Sequence, residues 1–509
     1  MDVQNRSMTR NQLSPDVVII GSGVGGSAFA MTIASSNASI LIVERGEKLE
    51  TPDGVLDPRE IHRDGKYITQ ETWYEGKRPF QPWTYYYVGG NTKFFGAVTP
   101  RYRLSDFDEV EHDGGISPAW PFSYEDLEPF YCEAESLFRV HGEDEADPCD
   151  PWRSKPYPHP AVPDEPSIAC VRHRLENVGL NTYSTPLCSD ESWLEFAPIT
   201  WDSYPNTGDK KADAENALLN KALEHENVTL LSSARAIKLN TDPAGSEIVS
   251  LDVEIGGKQK TINPKWVVVS AGAVNSAALL LRSADEKNPS GLANSSDMVG
   301  RNYMSHHCTF LMTIDPKRVN SAVYQKTVSI NDFYHGGGKG DRPLGHVQMC
   351  GKISPPMVQG IYRWIPELPL RWLCAHSVDW FLVTEDLPDP ENRLVVDSKG
   401  RIHFSLRRPN YSAHVQLVQK VRAKFKEAGY RWIFSKPFGI NYPTHQCGTV
   451  RMGNDPATAP IDQYCRSYDH PNLLVVDASM LPTSAAVNPA LTVLAQSLRA
   501  AKRWLEHID

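Results

Sequence analysis

Three glycines, Gly21, Gly23 and Gly26, stand between an apolar β-branched run and a stretch of small residues, and they constrain this chain more than any other feature. Asp16 to Ile20 reads as a buried parallel strand. Ser27 to Ala34 reads as a helix with small residues toward a sheet, and Ser39 to Val43 as a second strand ending at Glu44. In G-x-G-x-x-G the first glycine permits a tight turn, the second lets a pyrophosphate touch backbone, and the third lets helix and strand pack closely. The helix N-terminus offers free N–H groups to phosphates. Glu44 lies 18 residues beyond Gly26, where an acid accepts hydrogen bonds from an adenosine ribose. Strand, glycines, helix, strand and acid, in that order, predict a dinucleotide-binding unit rather than an ordinary glycine turn.

At 509 residues the chain exceeds one ordinary core, so two or more lobes are expected. A formal net charge of −10 argues against nucleic acid, whose phosphates need a basic footprint. No apolar run approaches the roughly 18–20 residues of a membrane span. Met1 to Ser14 is polar, lacks the apolar segment of a secretory signal, and reads as a loose arm. Nine scattered cysteines without a CxxC pair predict neither a zinc site nor a disulfide framework; they fit a reducing, cytoplasmic setting with no metal.

From Thr51 to Trp83 periodicity is lost, which reads as a long functional or ligand-covering loop. Tyr85 to Val88 then leads into Gly89-Gly90-Asn91 and on to Gly96, a glycine-bearing turn that can approach a planar ligand. Ser123 with Asp126 predicts a capped helix to about Val140, and Ile168 to Val178 a second. A helix over Ala212 to Glu224 precedes strands at Val228–Leu231, Ala234–Leu239 (including Ala236), Ile248–Ile255 and Lys260–Ile262. Trp266 to Ala273 reads as a buried strand ending on small residues, Ala271 among them, and Asn275 to Ser283 as a helix returning to the first sheet. Between Met304 and Asn441, alternating segments such as Val347–Lys352 and Val378–Thr384 predict an antiparallel sheet. They are joined by a hairpin at 393–406 and a helix from Ala413 to Ala428. Aromatic and polar residues of 73–87 and 378–393 suit either a sugar ring or a core.

The tail carries the reactive groups. Thr444 to Gly453 is a glycine-rich loop containing His445. Asn472 to Val476 is a strand ending at Asp477-Ala478-Ser479. Asn488 precedes Pro489, which suits the first position of a final helix. His can titrate near neutral pH and so serve as a base, and the Asn488 side chain can act beside a positive helix end; His306, His307 and His376 stand in reserve.

Four blocks in order, Gly21–Gly26 with Glu44, Val88–Asn91, His445–Thr449, and Asp477–Ser479 through Asn488–Thr492, resemble the glucose–methanol–choline (GMC) family of FAD-dependent oxidoreductases. Within it, the Val-Gly-Gly-Asn-Thr-Lys block and the Asn-Pro-Ala-Leu-Thr ending look closest to pyranose oxidases and bacterial glycoside 3-oxidases. The resemblance implies an α/β (overall α+β) fold: a Rossmann-like FAD domain built from discontinuous segments, and a substrate domain with a mainly antiparallel sheet capped by helices. Its expected parts are 15–150, 212–303 and 441–509 for FAD, with 151–211 connecting and 304–440 carrying the substrate domain. It implies cofactor contacts at Gly21, Gly23, Val24, Gly26, Glu44, Gly90, Asn91, Gly96, Ala236, Ala271, Asp477, Ala478 and Pro489. His445 and Asn488 would stand before the flavin ring. Phe94 occupies the approximate place of the histidine that links flavin covalently in pyranose oxidases, so FAD is expected to be noncovalent. The implied reaction is oxidation of an alcohol on a sugar, glycoside or polyol, with oxygen or a quinone or dye as acceptor. The alternatives are a sterol or aryl alcohol, or a lyase that keeps FAD as a structural part.

Overall fold

The computed structural model describes residues 13–50, 57–189, 204–336 and 341–507; most of the expected N-terminal arm and parts of the Thr51–Trp83 segment lie outside these. Five short strands form a wholly parallel sheet in the order Val228–Leu231, Ile40–Val43, Val17–Ile20, Trp266–Val269, Leu473–Val475. Val17–Ile20 and Ile40–Val43 are buried throughout, as continuous β-branched runs require when helices cover both faces. The glycine turn leads into the helix Val24–Ile33, three residues earlier than expected, so Gly25 and Gly26 lie inside its first turn. This helix packs against the final helix, Ala490–Leu505: the Phe29 and Trp504 rings meet edge-on at 6.1 Å, and Ser497 Oγ donates to the Gly25 carbonyl. Pro489 stands at the N-cap of that helix, one residue before the position expected.

A second, six-stranded sheet is antiparallel, in the order Trp432–Pro437, His307–Ile314, Ser377–Thr384, His346–Met349, Val328–Ile330, Thr182–Ser184. The helices Pro166–Glu176 and Tyr411–Glu427 cover it, and Trp380, Leu417, Val421 and Phe425 share its core. The capping box predicted at Ser123 forms: Asp126 Oδ2 accepts from the Ser123 N–H at 2.9 Å.

Three expectations need correction. The 51–83 segment is not simply loop: it contains a helical turn at Arg59–Arg63 and a tight hairpin, Trp73–Glu75 with Arg78–Phe80. Three-residue strands are too short to show periodicity. The hairpin Arg393–Val396 with Ile402–Ser405 forms as predicted, but it joins that earlier hairpin, His403 pairing with Tyr74, rather than the six-stranded sheet. Trp73, Phe80 and Phe404 close that junction. The expected helix over 212–224 is a wide π-turn, Glu215–Leu219, followed by one turn of α-helix at Asn220–Ala222.

Candidate active site

The glycines at the first turn divide by what surrounds them. Gly21 has φ +105°, and a Cβ there would stand 2.2 Å from the Ser270 carbonyl oxygen. On Gly25 it would stand 1.8 Å from the Val476 carbonyl oxygen, and on Gly26 2.1 Å from that of Gly21. Around Gly23, its chain neighbours aside, no atom of the described residues lies within 4 Å of that position. Three glycines are therefore needed for packing, and Gly23 borders open space. Gly23 is also the N-cap of the following helix and offers no side-chain cap, so the helix's first N–H groups are left for a ligand. The 89–93 turn closes over the same place: Gly89 N–H donates to Ser22 Oγ, and a Cβ on Gly90 would sit 3.1 Å from Gly23 Cα.

Glu44 is buried and braces this turn. One carboxylate oxygen accepts from Ser22 N–H at 2.9 Å and Ser22 Oγ at 2.8 Å; the other accepts from Gly46 N–H at 2.7 Å. Burial raises its pKa, opposed by these donors. The second oxygen retains acceptor capacity for one more donor. Asp477 plays a matching part across the sheet: it accepts from Gly272 N–H, Ser276 Oγ and Ser479 N–H, tying the 271–276 turn to the 477–479 turn. Val24, Ala271 and Ala478 are half-buried small or short side chains bordering the same end of the parallel sheet. Asn91 spends its side-chain oxygen on Tyr85 N–H and Thr84 Oγ1. Ala236 lies at a bulge in a strand whose Ala234 N–H donates to the Glu44 carbonyl, and Gly96 is half-buried just past Phe94. These groups fit a dinucleotide: a bare helix N-terminus, a glycine facing open space, and an acid with spare acceptor capacity.

The loop of His445 is clamped by reciprocal backbone hydrogen bonds between Met304 and Cys447, and Ser305 Oγ donates to the Thr444 carbonyl. His445 itself takes a left-handed φ of +54°, a strained setting for a non-glycine residue. The clamp brings in His306, whose Nδ1 lies 2.8 Å from His445 Nδ1. His306 Nε2 lies 2.9 Å from the Ser484 carbonyl, which can only accept, so this nitrogen carries the proton. Burial lowers the His306 pKa and keeps the ring neutral, which leaves its Nδ1 bare. His445 must then donate from Nδ1, and its Nε2 is bare in turn. Asn488 Nδ2 donates to that nitrogen at 3.1 Å, while Asn488 Oδ1 is buried with no hydrogen-bond partner among the described residues. Desolvation, with further contributions from His306, Lys326 and His346, holds the His445 pKa well below the usual histidine range. The arrangement is an unprotonated imidazole nitrogen beside an amide donor, which suits removal of a hydroxyl proton.

His445 and Asn488, 43 residues apart, are thus brought together, and His306 proves to be their third partner. A histidine just ahead of a strand was its only signal. Strand alternation turns His307 the other way, with its ring toward Tyr411 and His414, and His376 stacks on Trp372 at the end of a distant helix. From His445 a run of rings passes through Phe381, Phe438 and Tyr442 to Trp83. Trp83 and Tyr442 line a cleft of about 490 Å³, with Gln70, Glu75, Gln81 and Asn441 among its polar walls. Of the two stretches suited to sugar or core, Trp73 and Trp380 are core, whereas Trp83 and Phe381 belong to this side.

Two family models described as GMC oxidoreductase match residues 190–308 and 440–497. Paromamine 6'-oxidase of Streptomyces fradiae is 29% identical over 526 residues, covering 96% of this chain and 90% of that protein. Fructose dehydrogenase large subunit of Gluconobacter japonicus is 26% identical over 549 residues, covering 98% and 99%. The crystal structure of pyridoxine 4-oxidase from Mesorbium loti shares the fold, with TM-score 0.68 at 18% identity over 97% of this chain and 100% of that one. The chain is thus similar to GMC oxidoreductases in both matched segments and along nearly its whole length, and these relatives support an FAD-dependent alcohol oxidoreductase.

Proposed function

We propose that the chain oxidises an alcohol group of a sugar, glycoside or polyol to a carbonyl, with His445 as base and Asn488 as the orienting donor. The observation that carries this reading is the hydrogen-bond chain Ser484–His306–His445–Asn488, which leaves His445 Nε2 without a proton. Asn488 Nδ2 now makes the hydrogen bond that a substrate hydroxyl would make. On binding, the hydroxyl proton would face Nε2 and the amide would donate to the hydroxyl oxygen. The base takes the proton, and negative charge on the oxygen is met by the amide. FAD, when bound, supplies the acceptor for the hydride that leaves the substrate carbon. The cleft beyond, with amide side chains and the aromatic rings of Phe80, Trp83 and Tyr442, suits a polyhydroxylated ring better than a sterol. The relatives named for paromamine, 6'''-hydroxyparomomycin C and fructose run nearly the whole length of the chain, whereas the cholesterol oxidase match covers 18% of it.

The test is anaerobic addition of a panel of sugars, aminoglycosides and polyols to the yellow protein. At least one should bleach the 450 nm band, with a carbonyl product. Bleaching by sterols or aryl alcohols alone would overturn the substrate class, and bleaching by no alcohol would favour a lyase. Oxygen and a quinone or dye, compared on the bleached enzyme, would identify the electron acceptor.

We further propose that FAD is held without a covalent bond. Phe94 is buried and stacks on Tyr85 at 4.0 Å, and it offers no nucleophilic atom. Acid or heat denaturation should release all the yellow colour into the supernatant, and colour retained on the precipitate would contradict this.

A further inference from the structure

One face of the protein holds large apolar side chains in water. Trp364 is 80% exposed, in the turn just ahead of the helix Glu367–Ala375, and Leu368 is 78% exposed within it. Leu368 and Trp372, four residues apart, share one side of that helix. The helix buries only Leu370 and Cys374, so its outer side is not explained by the core. The neighbouring edge strand, Trp432–Pro437, turns Trp432, Phe434 and Lys436 outward by strand alternation. The two elements make one surface: the Trp372 and Trp432 rings lie 6.1 Å apart, and Lys436 Nζ lies 4.8 Å from the centre of the Tyr362 ring. A contiguous apolar patch of this kind on a folded chain marks an interaction surface.

The charge around it runs against the rest of the molecule. Segments 59–66, 355–376 and 430–437, which build the patch and its rim, hold seven Lys and Arg against three Asp and Glu, in a chain whose formal net charge is −10. The helical turn Arg59–Arg63 joins this rim directly, since Arg59 pairs with Glu367 at 3.2 Å and Arg363 Nη2 donates to the Arg63 carbonyl. Tryptophan and leucine ringed by arginine and lysine is the composition of segments that lie in the headgroup layer of a bilayer. A second copy of the same face would bring two cationic rims together, and that disfavours self-association.

We propose that this face docks on an anionic lipid bilayer, with Trp364 and Leu368 entering the boundary between headgroups and acyl chains and the cationic rim meeting lipid phosphates. The contact is superficial: no helix among the described residues is long and apolar enough to cross a membrane. Arg63, Gly360 and Arg363 also line the cleft near Trp83, so the docked face would bring the mouth of that cleft beside the membrane.

The test is co-sedimentation of the full FAD-loaded chain with vesicles, either phosphatidylcholine alone or an equal mixture with phosphatidylglycerol. The parent should bind the anionic vesicles, with at least ~10-fold weaker partitioning onto the neutral ones and in high salt. The double variant Trp364→Ser, Leu368→Ser should partition at least ~10-fold more weakly, because two large side chains no longer leave water. Its flavin spectrum and melting temperature should match the parent, since neither side chain is packed. Failure of the parent to bind anionic vesicles would overturn the proposal, as would equal binding by the double variant. Sedimentation-velocity evidence of a dimer that the double variant abolishes, without vesicle binding, would assign the face to a second copy instead.

Discussion

His445→Ala is expected to keep its FAD and yellow colour, yet to reduce its flavin at least ~100-fold more slowly when the best alcohol is added without oxygen. A positioned general base contributes about 10²–10⁴-fold, and the hydrogen-bond chain leaves His445 Nε2 as the bare nitrogen beside Asn488. Asn488→Ala should slow the same step by less, because water can replace part of a hydrogen bond to an oxygen. His306→Ala should lie between the two: it touches no substrate but removes the acceptor that fixes the His445 tautomer. Its distinguishing sign is the pH profile. Burial lowers the His445 pKa, so the neutral, active ring persists below the usual histidine range, and kcat/KM in the parent should stay flat there as pH falls. With His306 gone, water at Nδ1 stabilises the imidazolium, and the acid limb should move upward toward neutral pH. Stopped-flow absorbance at 450 nm gives the rates. Reduction of His445→Ala at the parent rate would place the base elsewhere.

The parallel sheet was readable because its three middle strands, 17–20, 40–43 and 266–269, are largely buried runs rich in β-branched residues, and the glycines follow the first of them at fixed offsets. Long, strongly patterned elements such as 124–137, 411–427 and 490–505 were readable for the same reason. The pairing of the 393–405 hairpin with 73–80 was not, because three-residue strands carry no period and their partners lie over 300 residues away. His445 and Asn488 announced themselves through their loops. His306 did not: its role comes from the Met304–Cys447 clamp and the Ser484 carbonyl, two long-range backbone contacts that leave no mark on local sequence. The exposed Trp364–Trp372 face was equally silent, since an amphipathic spacing reads as core until the structure shows which side is covered.

The second large effect separates Gly25, a variable position of the glycine motif, from Gly23, one of its fixed glycines. Gly25→Ala places a methyl group 1.8 Å from the Val476 carbonyl oxygen and 2.8 Å from its carbon, both backbone atoms at the end of a buried strand. The helix Val24–Ile33 can make room only by moving off the sheet, at a cost of about 3 kcal/mol or more. This variant should melt well below the parent with or without FAD, or fail to fold. Gly23→Ala places its methyl in open space at φ −68°, a conformation alanine adopts freely. Without FAD it should melt at or slightly above the parent, since such replacements gain about 0.4–1 kcal/mol from the unfolded chain. With FAD the order should reverse. A ligand at 100 times its Kd stabilises a protein by about 2.7 kcal/mol, and Gly23→Ala should lose most of that gain because its methyl fills the space where phosphate would meet backbone. Thermal unfolding of both variants by circular dichroism, with and without added FAD, measures all four quantities. If Gly23→Ala gained as much from FAD as the parent, the pyrophosphate would not lie against this turn, and the open space at Gly23 would need another occupant.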